Sequence, residues 1–511
     1  MTSLLHVCGR YLPLSETFTY DLITGLGGFS HHVVATGVEN VQHFPLPTVV
    51  VPQPEEQAWP LARQIDARAV VCHFGPQATL GMTIALSIDR PAVTIFHGYD
   101  ISRLIRDRVW VERYRAVARL GMQALCISHA GRQKLLDIGW PSSQIAVIHL
   151  GVNTRRFAFV PPAERWPARP WRILMVSRLV EKKGVDVALD AMRRLRDRGC
   201  DVELRIIGDG PERTRIEAQI RQSQLTNVSL LGALEHTLTQ HEFTRAHLYI
   251  QPSVTAASGD QEGIPVSLME AMACGLPVVS TRHSGIPELI IDGQTGLLTD
   301  ERDADGLAAA IERLTRDRIG AEQFAQAARA RVEQEFDRDR QTIRFDAYIR
   351  ALADDAGCRP SVSLSRWSTG RRRGLLIRSI PIGLMAKKLV LLRERYPDVQ
   401  WDVLTTESSV DQVRCTPLVG QVWKYTDGRL SLRSIGWPLL TELHNQDYDV
   451  VIVPYGDDIG SGFANVRRAA AAIAGRRVVA LTLGDRERPL RTYAFRWHVR
   501  TEREARRSST R

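Results

Sequence analysis

Short apolar segments alternate with helix-length amphipathic segments along most of the chain, and this alternation constrains the fold more than any other feature. Segments typical of buried strands lie at 69–73, 92–96, 172–176 and 204–207, and the first is expected at 4–8. Consecutive parallel strands need a long connection, usually a helix, so this order is typical of parallel α/β sheets. The sequence therefore predicts an α/β protein built on parallel sheets.

The length and the placement of proline divide the chain. At 511 residues it is too long for one ordinary hydrophobic core. A proline-rich stretch around Pro161 and Pro170 separates two blocks of similar size. The predicted organisation is one α/β lobe at 1–160, a second at 168–335, a terminal helix at 336–352, a linker at 354–370, an α/β extension at 371–499 and a disordered basic tail at 500–511.

Composition narrows the class of protein. Hydrophobic residues make up 44% and charged residues 24% of the chain, as in soluble globular proteins. No apolar run approaches the roughly 18 residues that span a bilayer, and no signal peptide is recognised at the start. A cytoplasmic location is expected. The seven cysteines include no Cys-x-x-Cys pair, which argues against a zinc knuckle or a dithiol redox site.

The positive charge is confined to one end of the chain. The chain has 67 Lys and Arg residues and 57 Asp and Glu residues. Residues 359–511 contain 27 of the basic and 15 of the acidic residues, a net charge of +12. The remaining 40 basic and 42 acidic residues lie at 1–358, a net charge of −2. The net charge of +10 could therefore favour nucleic-acid binding only at the extension. No nucleic-acid partner is predicted.

The segment 262–277 carries the strongest chemical signal. Pro265 is typical of a helix start and Gly275 of the residue just past a helix end, so a helix is predicted between them. Glu262 then lies in the loop before the helix and Glu270 inside it. A buried carboxylate costs free energy unless groups donate hydrogen bonds to it, and sugar hydroxyls are suitable donors. An exposed glutamate on a solvated helix face is the alternative for Glu270.

The loop 177–184 follows a predicted strand and precedes a predicted helix, where helix amides of α/β sheets bind phosphates. Arg178 offers a planar guanidinium and Lys183 a point charge, both suited to a diphosphate. Solvated surface cations are the alternative for each residue alone. Glycine turns at 208–211 and 283–288 also follow predicted strands, but the first does not complete the Gly-x-Gly-x-x-Gly fingerprint of NAD binding.

In combination, these motifs resemble the nucleotide-sugar half of retaining glycosyltransferase family 4, and the segment 253–265 resembles its colanic acid and exopolysaccharide branch. The resemblance covers about residues 1–352. It rests on Arg178, Lys183, Gly208-Asp209-Gly210, Glu262-x7-Glu270, Gly285-x-Pro-Glu288 and Gly293-x-Thr295-Gly296. It implies the GT-B fold, in which two Rossmann-like lobes face each other across a cleft and the terminal helix crosses back to the first lobe.

The resemblance also implies roles for the donor-side residues. Arg178 and Lys183 would hold the diphosphate and stabilise the leaving group. Glu262 would contact the hydroxyls of the donor sugar, and Glu270 would hold the ribose. The other donor-binding residues that it implies are Gly208, Asp209, Gly263, Ile264, Ser284, Gly285 and Ile286.

The first lobe would bind the acceptor. His97 follows the strand predicted at 92–96, and a lone histidine is more often structural, but the resemblance makes it the cleft histidine beside the reacting sugar. Asp100 would orient it or meet the acceptor. His73 ends another predicted strand of this lobe and Glu16 follows the first one, and both are further acceptor-side candidates. The Gly-Gly loop that many family members carry after the first strand is absent.

The implied reaction transfers a glycosyl group from a nucleoside diphosphate sugar, with retention, to a glycan or lipid-linked acceptor. No Asp-x-Asp pair lies on a predicted cleft loop, so neither metal nor cofactor is expected. The arginine-rich stretch 102–120 is consistent with peripheral membrane contact or with a solvated face.

Three alternatives and the extension remain open. A catalytically degenerate nucleotide-binding scaffold of a polysaccharide assembly complex would keep the same motifs. A GT-B epimerase or phosphorylase is a second alternative, and a Rossmann dehydrogenase is disfavoured by the missing fingerprint. The extension resembles one lobe of a heptosyltransferase-like enzyme, with either a catalytic or a docking role.

Overall fold

The computed structural model describes residues 2–11, 17–40, 54–166, 169–354 and 372–416 and, with interruptions, 418–489. The chain divides into two compact units: residues 1–54, 62–85 and 89–361 form the first, and residues 55–61, 86–88 and 362–511 the second. Glu16, the predicted linker beyond Asp354 and the predicted tail at 500–511 lie outside the described residues.

The first lobe contains a six-stranded sheet in the order β2-β1-β3-β4-β5-β6. Every neighbouring pair is parallel. Its strands are β1 (Thr2–Tyr11), β2 (Phe29–Val38), β3 (Ala67–His73), β4 (Ala92–Phe96), β5 (Gln123–Cys126) and β6 (Ile145–Val147). The helices in this part of the chain are α1 (Thr17–Gly25), α2 (Pro54–Gln64), α3 (Ala78–Ile88), α4 (Arg108–Arg119) and α5 (His129–Asp137).

The second lobe repeats this plan with the order β12-β11-β10-β7-β8-β9, again parallel throughout. Its strands are β7 (Trp171–Val176), β8 (Val202–Ile207), β9 (Val228–Gly232), β10 (Leu248–Gln251), β11 (Val278–Thr281) and β12 (Leu297–Thr299). Its helices are α6 (Pro162–Arg165), α7 (Val185–Asp197), α8 (Arg213–Gln222), α9 (His236–Arg245), α10 (Val266–Ala273), α11 (Ile286–Leu289), α12 (Ala304–Arg316) and α13 (Arg318–Glu335). The prediction of parallel α/β sheets is confirmed.

Helix α14 (Arg338–Asp354) returns to the first lobe. The Arg350 guanidinium donates to the carbonyl of Gly27 and lies 4.8 Å from the centre of the Phe29 ring. At the start of the return, the amide of Val152 donates to the Phe336 carbonyl at 2.9 Å, and that of Arg338 donates to the Val152 carbonyl at 2.9 Å. The chain thus crosses between the lobes twice, near residues 152 and 337.

A continuous apolar core joins the two lobes. One buried cluster contains Leu4 and Ile95 of the first lobe together with Leu268 and Leu276 of the second, and Phe336 at the start of the return. Burial of such side chains contributes about 25 cal/mol for each Å² of apolar surface removed from water. The shared core therefore anchors the loops that carry the candidate site.

The second unit contains a further sheet in the order β15-β14-β13-β16-β17-β18, parallel except for its last pair. Its strands are β13 (Arg372–Ile377), β14 (Val399–Thr406), β15 (Val419–Tyr425), β16 (Val450–Pro454), β17 (Val478–Leu481) and β18 (Glu487–Pro489), with helices α15 (Ile382–Arg395) and α16 (Val410–Arg414). In the described part of the chain, no helix combines the length and the hydrophobicity needed to cross a membrane.

Candidate functional site

The loop between β7 and α7 carries the two predicted phosphate-binding cations. Arg178 is exposed, and the described residues offer its guanidinium no hydrogen bond or ion pair. Lys183 is different, because its Nζ donates to Oε2 of Glu262 at 2.7 Å. The loop therefore presents one cation to solvent and one that is already neutralised.

Two glycines fix the path of this loop. Gly184 has φ +67°, and a Cβ there would lie 1.8 Å from the Pro252 carbonyl oxygen. Gly208 has φ +136°, and a Cβ there would lie 1.9 Å from the Ser177 carbonyl oxygen. Neither position tolerates a side chain without moving the backbone.

The turn that contains Gly208 and Asp209 supports the loop. The amide of Leu179 donates to the Asp209 carbonyl at 2.9 Å. The Asp209 carboxylate accepts from the amide of Gly210 at 2.7 Å and pairs with Arg213 at 3.2 Å. The predicted donor-binding residues Gly208 and Asp209 thus hold the segment from which Arg178 projects.

Glu262 lies at the centre of a charge cluster. It is 9% exposed, and Nζ of Lys182 lies 3.3 Å from its second carboxylate oxygen and 3.1 Å from Asp260. Burial alone would raise the pKa of Glu262, but Lys183 and Lys182 outweigh it and lower the pKa to about 2. Glu262 is therefore ionised at any physiological pH.

His283 orients the loop that holds Glu262. Its ring is fully buried, and its Nε2 accepts a hydrogen bond from the backbone amide of Glu262 at 3.0 Å. Its Nδ1 lies 2.6 Å from the Glu301 carboxylate, which assigns the ring proton to Nδ1. Since Glu301 also accepts from the amide of Thr255 at 2.7 Å, the imidazole links two loops of the second lobe.

Glu270 lies in α10, one turn before its end. Burial raises its pKa to about 7, and the charge of Arg156 opposes this shift only in part. Within the described chain, no donor reaches its carboxylate. A partly buried carboxylate that accepts no hydrogen bond from the described residues is suited to a ligand with hydroxyl donors.

The other predicted donor-binding residues bring the lobes together through their backbones. Ser284 has φ +46°, in the left-handed region. A Cβ on Gly285 would lie 2.9 Å from the Gly263 carbonyl oxygen, and one on Gly263 would lie 2.5 Å from the His97 carbonyl oxygen. The Ile264 and Ile286 side chains are buried in the apolar core, so only their backbones can meet a ligand.

His97 follows β4 directly, on the first-lobe side of the cleft, which we call the acceptor wall. The loops of the second lobe that carry Arg178, Lys183, Glu262 and Glu270 form the donor wall. The His97 ring lies between two phenylalanines, 4.7 Å from the Phe18 ring centre and 4.4 Å from that of Phe74. Burial, with a smaller effect of His73, lowers its pKa to about 3, so the ring is neutral. Both ring nitrogens are buried without a hydrogen-bond partner among the described residues.

Below His97, three imidazoles form a hydrogen-bonded chain across neighbouring strands. Nε2 of His73 lies 3.1 Å from Nδ1 of His6, and Nε2 of His6 lies 3.1 Å from Nδ1 of His31. The chain ends where Nε2 of His31 lies 3.0 Å from the Leu26 carbonyl. A carbonyl only accepts, so it assigns the Nε2–H tautomer to all three rings and leaves Nδ1 of His73 as an acceptor.

Asp100 and His73 were predicted to line the acceptor side of the cleft. Both side chains lie beneath its surface instead. Asp100 is fully buried, and its carboxylate accepts from the amides of Gly75, His97 and Gly98 at 3.0, 3.1 and 2.8 Å. His73 is 1% exposed. His73 ends β3 and Asp100 follows β4 of the same sheet, so packing between the loops covers both side chains. Asp100 holds the backbone of His97 instead of meeting solvent.

Glu288 connects the lobes at the edge of the site. Its carboxylate accepts from the amides of His129 and Ala130, the first residues of α5, at 2.8 Å each. Nε2 of His149 lies 3.0 Å from the same carboxylate. Burial alone would raise the pKa of Glu288, but these hydrogen bonds outweigh it and lower the pKa.

Sequence reasoning missed the residues that act only through tertiary contacts. Lys182, His283 and Glu288 lie inside the predicted motif segments but received no role of their own, and Phe18 and Phe74 received no role either. The one available signal was their position beside a predicted strand end.

Two family descriptions match consecutive parts of the chain. "Glycosyltransferase Family 4" matches residues 16–156, and "Glycosyl transferases group 1" matches residues 158–331. Their boundary falls between the two lobes, so the matches cover one lobe each.

Two relatives are similar to about half of this chain. A protein of Escherichia coli K12, assigned to colanic acid biosynthesis as the glycosyltransferase WcaL, is 39% identical over 301 residues, which cover 57% of this chain and 72% of that protein. The amylovoran biosynthesis glycosyltransferase AmsK of Erwinia amylovora is 41% identical over 248 residues, 48% of this chain and 60% of that protein.

A solved structure shares the fold. HepE of Anabaena, crystallised with UDP and glucose, superposes with a TM-score of 0.60 at 19% identity and covers 70% of this chain and 100% of that one. Together with the paired parallel-sheet lobes, these similarities confirm the predicted GT-B architecture: the chain belongs to glycosyltransferase family 4.

Proposed function

We propose that this protein transfers a glycosyl group from a nucleoside diphosphate sugar to a hydroxyl of an extracellular polysaccharide precursor, with retention of configuration. The donor would lie against the second lobe and the acceptor against the first. The relatives assigned to colanic acid and amylovoran biosynthesis support this class of acceptor.

The observation that carries the proposal is the set of unsatisfied groups on the donor wall. Among the described residues, none pairs with the Arg178 guanidinium, and Lys183 pairs with Glu262. A diphosphate would pair with both cations and free Glu262 to accept hydrogen bonds from the sugar. Glu270 would accept those of the ribose, two at once.

The acceptor hydroxyl would attack the anomeric carbon on the face from which the diphosphate leaves. The bond between the anomeric carbon and the phosphate oxygen breaks, the new glycosidic bond forms, and the hydroxyl proton passes to a phosphate oxygen. Arg178, Lys183 and the amides at the start of α7 would stabilise the charge that develops on the leaving group, in place of a metal ion. His97 would offer a neutral ring nitrogen to a sugar hydroxyl.

A lipid-linked acceptor would bring the protein to the cytoplasmic face of the membrane. Exposed Arg103, Arg108 and Arg119 lie on α4 and the turn before it and are suited to anionic headgroups. Arg106 does not belong to this set, because it donates across the lobes to the Ala257 carbonyl at 3.1 Å.

Calorimetric titration of the full chain with UDP, GDP, ADP and NAD, without metal, tests the donor site. We expect one nucleoside diphosphate to bind, and the Arg178→Ala variant to bind it more weakly. Transfer is then assayed with the corresponding nucleotide sugars. Binding without transfer from any donor would favour a nucleotide-binding scaffold, and NAD binding would favour a dehydrogenase.

A further inference from the structure

We propose that His129, His149 and Glu288 form a site for a borderline divalent transition metal, such as Zn²⁺, that clamps the two lobes together. Among the described residues, these three each offer one ligand atom, and the three atoms lie within 4.8 Å of one another. His129 and His149 belong to the first lobe and Glu288 to the second. The inference does not depend on the proposed reaction, except for the effect on turnover.

The ligand set suits such an ion. Two imidazoles and one carboxylate are typical ligands of zinc, copper and nickel, and a water molecule would complete a four-coordinate site. Zn²⁺ binds nitrogen and carboxylate oxygen at about 2.0–2.2 Å, which places neighbouring ligands roughly 3.5 Å apart. The rings of His129 and His149 already lie edge to face with centres 5.9 Å apart, so a small inward shift of exposed His129 would suffice.

The three groups are already oriented. The amides of His129 and Ala130 hold the Glu288 carboxylate from one side, and the Phe336 ring packs against His149 with centres 4.9 Å apart. Arg331 donates to the backbone carbonyls of Glu288 at 2.6 Å and of Leu289 at 2.8 Å and so fixes the end of α11. Such outer contacts typically change metal affinity by ~10–100-fold.

Metal binding exchanges one contact for another. His149 now contacts Glu288 through Nε2, at 3.0 Å. For Nε2 to bind the ion, the ring proton must lie on Nδ1, a change of tautomer that releases no proton from a neutral ring. The hydrogen bond from His149 to Glu288 is lost and two metal bonds replace it, while both amide hydrogen bonds to the carboxylate remain.

The ion would act on the lobes and not on the chemistry. Glu288 lies two residues beyond Ile286, whose backbone borders the donor site, so a metal there would hold that loop against α5. If product release requires the lobes to separate, a bound ion slows turnover.

The His129→Ala variant removes the proposed metal ligand but keeps the backbone amide that donates to the Glu288 carboxylate. It therefore tests metal binding without disturbing that hydrogen bond. The full chain, treated with a chelator and then dialysed, is titrated with Zn²⁺ in a calorimeter. We expect one equivalent to bind, at least tenfold more weakly in His129→Ala and unchanged in His241→Ala, which removes an exposed histidine from α9. Equal affinity in His129→Ala, or equal weakening in His241→Ala, would overturn the site.

Co²⁺ provides an independent readout, because Cys415 is also exposed. The proposed site predicts visible d–d absorption without a thiolate charge-transfer band, and loss of that absorption in His129→Ala. A thiolate band, or absorption that His129→Ala leaves intact, would assign the ion elsewhere. Zn²⁺ should also lower kcat of the wild type and leave that of His129→Ala unchanged, whereas equal inhibition of both would contradict the clamp.

Discussion

The two walls of the cleft are built from opposite chemistry. The donor wall carries full charges that neutralise one another, as Lys183 and Lys182 do with Glu262. The acceptor wall carries imidazoles whose pKa values burial lowers, to about 3 for both His97 and His73. The difference fits the proposed ligands: a diphosphate changes its charge as the sugar leaves, whereas an acceptor hydroxyl requires only neutral hydrogen-bonding groups.

Removing a charge from the donor wall should have the largest effect. Lys183→Ala takes away a phosphate contact and the nearest cation to Glu262, so we expect kcat to fall by ~10²–10³-fold. The measurement is the rate of nucleoside diphosphate release with the identified donor. Arg221→Ala removes an exposed cation from α8 of the same lobe and should retain full activity. A Lys183→Ala rate within threefold of the wild type would mean that the charged wall does not stabilise the leaving group.

Breaking the chain of imidazoles should cost stability. His6→Phe leaves Nε2 of buried His73 and Nδ1 of half-buried His31 without these partners, and the loss at a buried group costs about 1–3 kcal/mol. We expect the free energy of unfolding in urea, followed at the transition of the first unit, to fall by about 2 kcal/mol or more. His32→Phe, on the same strand as His31 but outside the chain, should cost less. Equal losses would show that the hydrogen bonds contribute little.

The pH dependence of nucleotide binding sharpens the contrast. The pKa of Glu270 is raised to about 7, so its carboxyl group is charged above that pH and neutral below it. Affinity for the nucleoside diphosphate should therefore weaken as the pH falls below 7, approaching tenfold for each unit. Calorimetry from pH 8 to pH 5.5 measures this trend. Glu270→Gln should bind weakly and keep only the shallower pH dependence of the nucleotide's own terminal phosphate, whose second pKa is about 6. An equally steep dependence in that variant would point to another protein group.

The smallest effect is expected on the acceptor wall, where protonation should be absent. Nitrogen-15 spectra of the imidazoles should show His6, His73 and His97 neutral from pH 8 to pH 5, because burial lowers all three pKa values. The spectra should also show the Nε2–H tautomer for His6 and His73. A titration of His97 in this range would mean that the wall is more hydrated than its burial implies.

The sequence was sufficient for the fold and for the strand-to-helix loops on which the donor-side candidates lie. Strand–helix alternation predicts parallel sheets because local patterning and burial agree, and Pro265 and Gly275 bound α10 through backbone geometry alone. The pairing of Glu262 with Lys183 was not predicted, since the two residues are 79 positions apart and only the adjacency of β7 and β10 brings their loops together.

The acceptor wall was predicted less well. The sequence did not predict a role for His6 or His31, because a histidine within an apolar strand is indistinguishable from an ordinary core residue. Only the strand order shows that His6 lies beside His73. Asp100 was predicted beside His97, but its burial depends on the packing of two loops. The assignments of the site residues, the absence of a metal in the reaction and the resemblance of the extension to a heptosyltransferase-like lobe stay predictions.

The fixed path of the loop between β7 and α7 bears on any effort to change the donor. A Cβ added to Gly184 or to Gly208 would lie less than 2 Å from a carbonyl oxygen of a neighbouring segment. A mutational library that randomises the whole loop would consist mostly of proteins with a displaced backbone. Diversity restricted to exposed Arg178 and to the half-buried positions of the same loop, with both glycines held constant, would sample altered recognition on an intact scaffold.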